Sequence, residues 1–247
     1  MTRTRTSPDA TSLATEAYLE LRQRILRGDL TIGQVISRRK LASELGMSFL
    51  PVSEALLRLE IEGLVESRPR AGTRIRIPSR QDVRGHYVIR EALECQSARL
   101  FAEAASTEEK AELMRLAARV DTLSAQTDGN RVLYLTLHEK LHRRIAECAR
   151  CPALSEAIEK THALASTWLC VTRPSTGEVA PRRHQELIAV LSAGDPAAAV
   201  KAMREHVNRS MENTLQRLES WFKLRKTRGQ SYARAPRRPA NASGTAA

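Results

Sequence analysis

Two short helical runs meet at Leu45-Gly46-Met47-Ser48 and are followed at once by a two-stranded β pattern, an order that few folds can satisfy. Ser37 is placed to cap a helix from Arg38 to Leu45, Gly46 permits the tight turn, and Ser48 opens a further helix that runs to about Glu62. Before them, Leu13, Ala17, Leu21 and Ile25 recur at helical spacing until Gly28 stops the run. Asp29 to Gln34 reads as a turn. After Gly63, residues 64–68 and 73–77 are β-like, joined through Pro69-Arg70-Ala71-Gly72 as a hairpin with a basic tip. Three helices followed by such a hairpin predict a winged helix-turn-helix over residues 11–78, a fold whose second motif helix enters the DNA major groove.

The charge distribution agrees. The chain of 247 residues carries a formal charge of +12, which favours a polyanionic partner. Residues 1–80 hold 14 Lys and Arg against 9 Asp and Glu, residues 221–247 hold 7 against none, and the middle balances at 19 against 19. Basic ends around a neutral middle predict that one end meets nucleic acid while the middle does something else. Residues 1–10 are polar and are expected to be disordered, and so is the basic tail 221–247, rich in Arg, Ala, Pro and Ser.

From residue 82 to 220 the pattern is helical, in segments near 82–104, 107–125, 130–149, 153–172, 180–193 and 196–222. Breaks fall at Asp128-Gly129, Pro152, Pro174 to Gly177 and Gly194-Asp195-Pro196. The fold class expected is therefore mainly α: an N-terminal winged helix-turn-helix followed by an all-α helical-bundle effector domain. No stretch approaches the roughly 18 apolar residues of a membrane span, and the start MTRTRTSPDA lacks an apolar core, so a cytoplasmic protein without a membrane partner is expected. Four cysteines are too few for a disulfide scaffold; Cys148-Ala-Arg-Cys151 has the spacing of a redox or metal pair but lacks the βαβ context.

The stretch Arg39-Lys40-Leu41-Ala42-Ser43-Glu44-Leu45-Gly46-Met47-Ser48, with Pro51-Val52, Glu54-Ala55-Leu56, Leu59-Glu60, Glu62-Gly63-Leu64-Val65 and Gly72, resembles the GntR family of bacterial regulators. The resemblance implies that Arg39, Ser48 and the helix start Phe49, Leu50, Pro51 and Ser53 approach an operator, with the wing at Arg70 and Gly72 reaching the next groove. It also implies a homodimer on a palindromic site in double-stranded DNA. The family usually has Arg where this chain has Phe49 and Ser53, so the operator sequence does not carry over. Phe49 and Leu50 either meet thymine methyls or, for Phe49, pack against the protein.

All six histidines fall in the second half: His86, His138, His142, His162, His184 and His206. His138 and His142 are i and i+4, a spacing that presents two imidazoles on one helix face to one metal. His184 and His206 lie on two further helices that a bundle could bring to the same point. Arg90-Glu91 with Leu93-Glu94, Leu141-His142, His184 with Leu187-Ile188, Gly194-Asp195 and Met203 with His206 resemble the FCD effector domain of the fatty-acid-responsive branch of the same family.

That resemblance implies a divalent metal bound by one Asp and three His, helping to hold a small carboxylate effector. His142, His184 and His206 fall on the three histidine positions, and His138 stands where the family has Asp. The substitution removes a negative charge, leaving about +2 rather than +1 at the site, and an imidazole-rich shell suits Zn²⁺ or Ni²⁺ better than Mg²⁺. His86 and His162 match no ligand position and are expected in the core or pocket. Arg90 either pairs with Glu94 across one turn or points at a ligand carboxylate. Trp168 packs or lines the pocket. The rival reading is a metal-dependent enzyme on a histidine-rich bundle; an enzyme would want a general base beside the metal, and Glu139, adjacent in sequence to His138, is turned about 100° away on the helix.

Overall fold

A computed structural model describes residues 12–68, 72–125, 131–171 and 182–223. Residues 1–10, Arg70 and the tail beyond Lys223 lie outside the described residues. The winged half comprises α1 (Leu13–Arg27), β1 (Val35–Ile36), α2 (Arg38–Leu45), α3 (Phe49–Ile61), β2 (Val65–Arg68) and β3 (Gly72–Ile75). Ser12 and Ser37 cap α1 and α2 through their hydroxyls, and Gly28 and Gly46 end them at φ +84° and +63°. The sheet order is β1-β3-β2, antiparallel, with Arg68 opposite Gly72 and Val35 opposite Arg74. The strand β1 lies immediately after the expected turn. At two residues it is too short to have a periodicity of its own.

Leu21, Ile25, Val52, Leu56 and Leu59 form the core of this half. The wing is fixed to the helices by polar contacts: Ser67 N donates to Glu60 Oε1 at 2.7 Å, and Arg38 Nη2 donates to Thr73 Oγ1 at 3.1 Å.

The second half comprises α4 (Arg80–Ala104), α5 (Thr107–Ser124), α6 (Arg131–Cys148), α7 (Pro152–Val171), α8 (Arg183–Ser192) and α9 (Pro196–Arg217). Capping boxes at Ser79/Asp82 and Ser106/Glu109 start α4 and α5, while Asp195 with Pro196 starts α9. The longest contact runs between α4 and α9, which the Tyr87 hydroxyl bonds together through Thr214 Oγ1 at 2.8 Å. One expectation fails at the C-terminal end. Residue 221 does not begin a structureless tail, because Phe222 is buried in the core with the Arg80 guanidinium over its ring. The apolar phase of α9 simply continues into Leu218, Trp221 and Phe222.

The two halves touch. α1 lies against α7 and α6, where Arg22 Nη2 donates to Glu139 Oε1 at 3.0 Å. The turn at Gly63, φ +79°, faces Leu164 of α7. A Cβ at Gly63 would stand 3.8 Å from that leucine and 3.3 Å from Arg76, at a backbone angle that other side chains rarely adopt.

Candidate metal centre and nucleic-acid interface

The histidine cluster grows from the apolar faces of the bundle. His138 and His142 sit one turn apart on α6, beside Leu135, Leu141 and Ile145; His184 opens α8; His206 lies on α9 between Met203 and Val207. All four are buried. Their rings close a circuit, with centroids 4.7 Å apart for His138–His142, 5.3 Å for His142–His206, 5.2 Å for His206–His184 and 5.2 Å for His184–His138. Imidazoles sharing a tetrahedral ion at bond lengths near 2.0–2.1 Å place their ring centroids roughly 5 Å apart, a spacing close to those of the circuit.

One ligand atom each from His138, His184 and His206 lies within 4.8 Å of the others. His142 is turned differently: its Nδ1 approaches Glu94 Oε2 at 2.5 Å, too poorly aligned for a regular hydrogen bond, and it groups with Glu94 and His162 instead. Among the described residues, His142 Nε2 and His138 Nδ1 have no hydrogen-bond partner although both are buried. Buried polar atoms are rarely left so, and here they point to a missing ligand.

Burial holds the imidazoles neutral. Desolvation, and then the neighbouring histidines, push His138 well below its usual range; desolvation does the same to His206, with Arg183 adding to it. For His142 desolvation lowers the value to about 4, with Glu94 opposing. Neutral nitrogens are what a metal needs, since a protonated imidazole has no lone pair to give.

Three further residues surround the site: Asp121, which sequence reasoning did not single out, Glu94, expected only as a partner for Arg90, and His162, expected in the core or pocket. Asp121 of α5 accepts from His184 Nδ1 at 2.6 Å and from Gln185 N at 3.0 Å. Glu94 accepts from His162 Nε2 at 3.1 Å, and His162 stacks 4.5 Å from His142. Their signal was positional: Asp121 continues the buried stripe of Leu113 and Ala117, and His162 lies a turn from Ile158 and Ala165. A polar group on an apolar helix face is more informative than one on a wet face.

Arg90 is completely buried and pairs with Glu94, Nε at 2.8 Å and Nη2 at 2.7 Å, while its Nη1 finds no partner among the described residues. His86 is half-buried, bonded through Nε2 to Thr161 O at 2.8 Å and set edge-on against the buried Trp168. Glu139 faces the winged half through Arg22 and does not reach into the cluster. Cys148 and Cys151 are both free thiols, the first buried.

At the other end, Arg39 is exposed on α2, and Ser48 precedes α3 with its hydroxyl free of the expected cap bond. Phe49 and Leu50 are 52% and 65% exposed, so Phe49 does not pack into the protein. Pro51 is buried, against the expectation of a DNA contact, because the first turn of α3 directs it inward with Val52. Ser53 Oγ donates to Phe49 O at 2.9 Å. Gly72, φ +76°, begins β3 with nothing within 4 Å of a notional Cβ. Replacing Arg39 by Ala is expected to weaken operator binding by about 1–3 kcal/mol, the range for a base contact, without loss of stability. A gel-shift titration with unchanged affinity would refute the assignment.

A winged helix joined to a helical bundle with a buried, histidine-lined centre is the architecture of a DNA-binding regulator. Residues 13–75 match the bacterial regulatory proteins of the gntR family and residues 86–209 match the FCD domain. The chain belongs to the GntR family of transcriptional regulators, in its FCD-containing branch. It is 28% identical over 201 residues to the "Probable D-xylose utilization operon transcriptional repressor" of Paenarthrobacter nicotinovorans, covering 80% of this chain and 86% of that one. It is 25% identical over 217 residues to the HTH-type transcriptional repressor RspR of Escherichia coli strain K12, covering 84% and 92%. The fold is shared with Escherichia coli McbR/YncC at a TM-score of 0.68, with 23% identity over 83% of this chain and 98% of that one.

Proposed function

We propose that this regulator binds a palindromic operator as a homodimer in the cytoplasm and changes its grip on DNA when a small carboxylate enters a metal-containing pocket. Arg39, Ser48, Phe49 and Leu50 meet the operator, with the wing at Gly72 and Arg70 beside them. His138, His142, His184 and His206 hold one divalent transition metal, Zn²⁺ or Ni²⁺ rather than Mg²⁺, and the ion supplies a positive anchor for the carboxylate. Arg90, whose Nη1 has no acceptor among the described residues, is the second anchor.

The observation that carries this reading is the convergence of three buried, neutral imidazoles, His138, His184 and His206, from α6, α8 and α9, with the ring of His142 beside them and its Nε2 without a partner among the described residues. The rival enzymatic reading gains nothing from Glu139, the carboxylate next to His138 in sequence, which is engaged by Arg22. That same ion pair joins the metal-bearing helix α6 to α1 of the winged half, a route by which pocket occupancy reaches the DNA-binding helices. Elemental analysis of protein purified without a histidine tag is expected to find close to one transition metal per chain after incubation with Zn²⁺ or Ni²⁺. Less than about a tenth of an equivalent overturns the metal reading.

A further inference from the structure

Two carboxylates stand directly behind the histidine cluster. Asp121 Oδ1 accepts from His184 Nδ1 at 2.6 Å and from His184 N at 3.1 Å, while Oδ2 accepts from Gln185 N, so the same side chain also closes the start of α8. Glu94 Oε2 lies 2.5 Å from His142 Nδ1, and its other oxygen accepts from Arg90 and His162. In both cases the carboxylate faces Nδ1: His184 Nδ1 is hydrogen-bonded to Asp121, while His142 Nδ1 stands against Glu94 as a close charge contact without regular hydrogen-bond alignment. An imidazole that donates from Nδ1 carries its lone pair on Nε2. Both oxygens of Asp121 also accept backbone N–H groups, those of His184 and Gln185, so the carboxylate is the acceptor at this corner and the ring is the donor.

We infer that Asp121 and Glu94 are positioning residues of the metal centre: they fix His184 and His142 in the tautomer that offers Nε2 to the ion, and they supply charge from outside the coordination shell. The inference rests on the metal reading proposed above. His142 Nε2, buried and without a partner among the described residues, is the atom this tautomer presents. The charges around the site are matched: Glu94 pairs with Arg90, and Asp121 shares the site with the largely buried Arg183, whose Nη2 donates to His206 O at 3.2 Å.

A second ion on Glu94, His142 and His162 is the competing use of the same atoms, which lie within 4.8 Å of one another. Arg90 argues against it. Its guanidinium already bonds Glu94 Oε1 and lies 3.3 Å from His162 Nε2, so a dication there would press against a buried cation.

Long-range nitrogen-15 correlation spectra of the metal-free wild type are expected to show His184 and His142 protonated at Nδ1 and bare at Nε2. Asp121→Asn keeps an acceptor for the start of α8 but loses the anion. It and Glu94→Gln are each expected to weaken Zn²⁺ binding by about 10- to 100-fold in chelator competition and to raise the Nε2–H population of the facing ring. Glu94→Gln also leaves Arg90 against a neutral amide and is expected to fold less stably, so the wild-type spectrum tests the Glu94 half by itself. Protonation of both rings at Nε2 in the wild type, Zn²⁺ affinities within twofold of wild type in both variants, or uptake of a second Zn²⁺ that Glu94→Gln abolishes would each overturn the inference while leaving the metal reading in place. A wild type that takes up no Zn²⁺ overturns both.

Discussion

Arg90→Ala is expected to destabilise the protein by about 3–5 kcal/mol, the cost of leaving a buried charge without its partner. Arg90 has no solvent exposure, and two of its nitrogens bond the equally buried Glu94. Burial opposes ionisation of Glu94, and Arg90 first, then His142 and His162, bring its carboxyl well below the usual range. Without the guanidinium, that carboxylate must rely on histidines whose own protonation burial suppresses, or take up a proton itself. The double variant Arg90→Met with Glu94→Leu removes both charges and is expected to recover most of the loss. Urea unfolding at pH 7 in the presence of chelator measures both. A loss below about 1 kcal/mol for Arg90→Ala would mean that the pair is not buried in solution.

The second large effect concerns metal and protons together. His142 and His86 have folded-state values near 4, lowered first by desolvation, against about 6.5 in an unfolded chain. Above pH 6.5 both states are neutral and the full stability is present. As pH falls from 6.5 toward 4 the unfolded chain takes up protons that the folded one refuses, so the metal-free protein loses stability across that window. Each fully developed histidine shift of this kind costs on the order of 3 kcal/mol at the acid end. Zn²⁺ acts in the opposite direction, stabilising by about 4 kcal/mol when present at a thousand times its Kd.

In a domain of this size that corresponds to a rise in Tm of about 10 °C at neutral pH, fading as protons compete for the same nitrogens. Differential scanning fluorimetry with and without Zn²⁺ at pH 7.5 and 5.5 reads it. A rise below about 2 °C at pH 7.5, or an undiminished rise in His184→Ala with His206→Ala, would contradict the assignment.

The winged half was legible in the sequence because its punctuation is local: Ser12, Gly28, Ser37 and Gly46 each act within a turn of their own position. The helices of the bundle were legible for the same reason, from periodicity and from caps such as Asp195-Pro196. The strand β1 was not, since its existence depends on β3 lying alongside rather than on Val35 and Ile36 themselves. Of the candidate centre, the histidines stood out by residue type and by the i, i+4 spacing on α6. Asp121 did not, because nothing near it in the sequence says that the start of α8, more than sixty residues later, will come down on its carboxylate. His162 was expected in the core or pocket without a ligand position, and only the packing of α7 says that it meets His142. Pro51 was misplaced for a simpler reason: a contact stretch on a helix includes residues that face the core.

The central claim is that this chain reads a particular DNA sequence through α2, α3 and the wing. Fluorescence anisotropy decides it most directly, with the Zn²⁺-loaded protein titrated at about 150 mM salt onto about 30 base pairs from upstream of its own gene and onto a shuffled duplex of equal composition. The account predicts tighter binding to the upstream duplex by about a thousandfold or more, with an affinity that falls steeply as salt rises. Equal affinity for the two duplexes would contradict it.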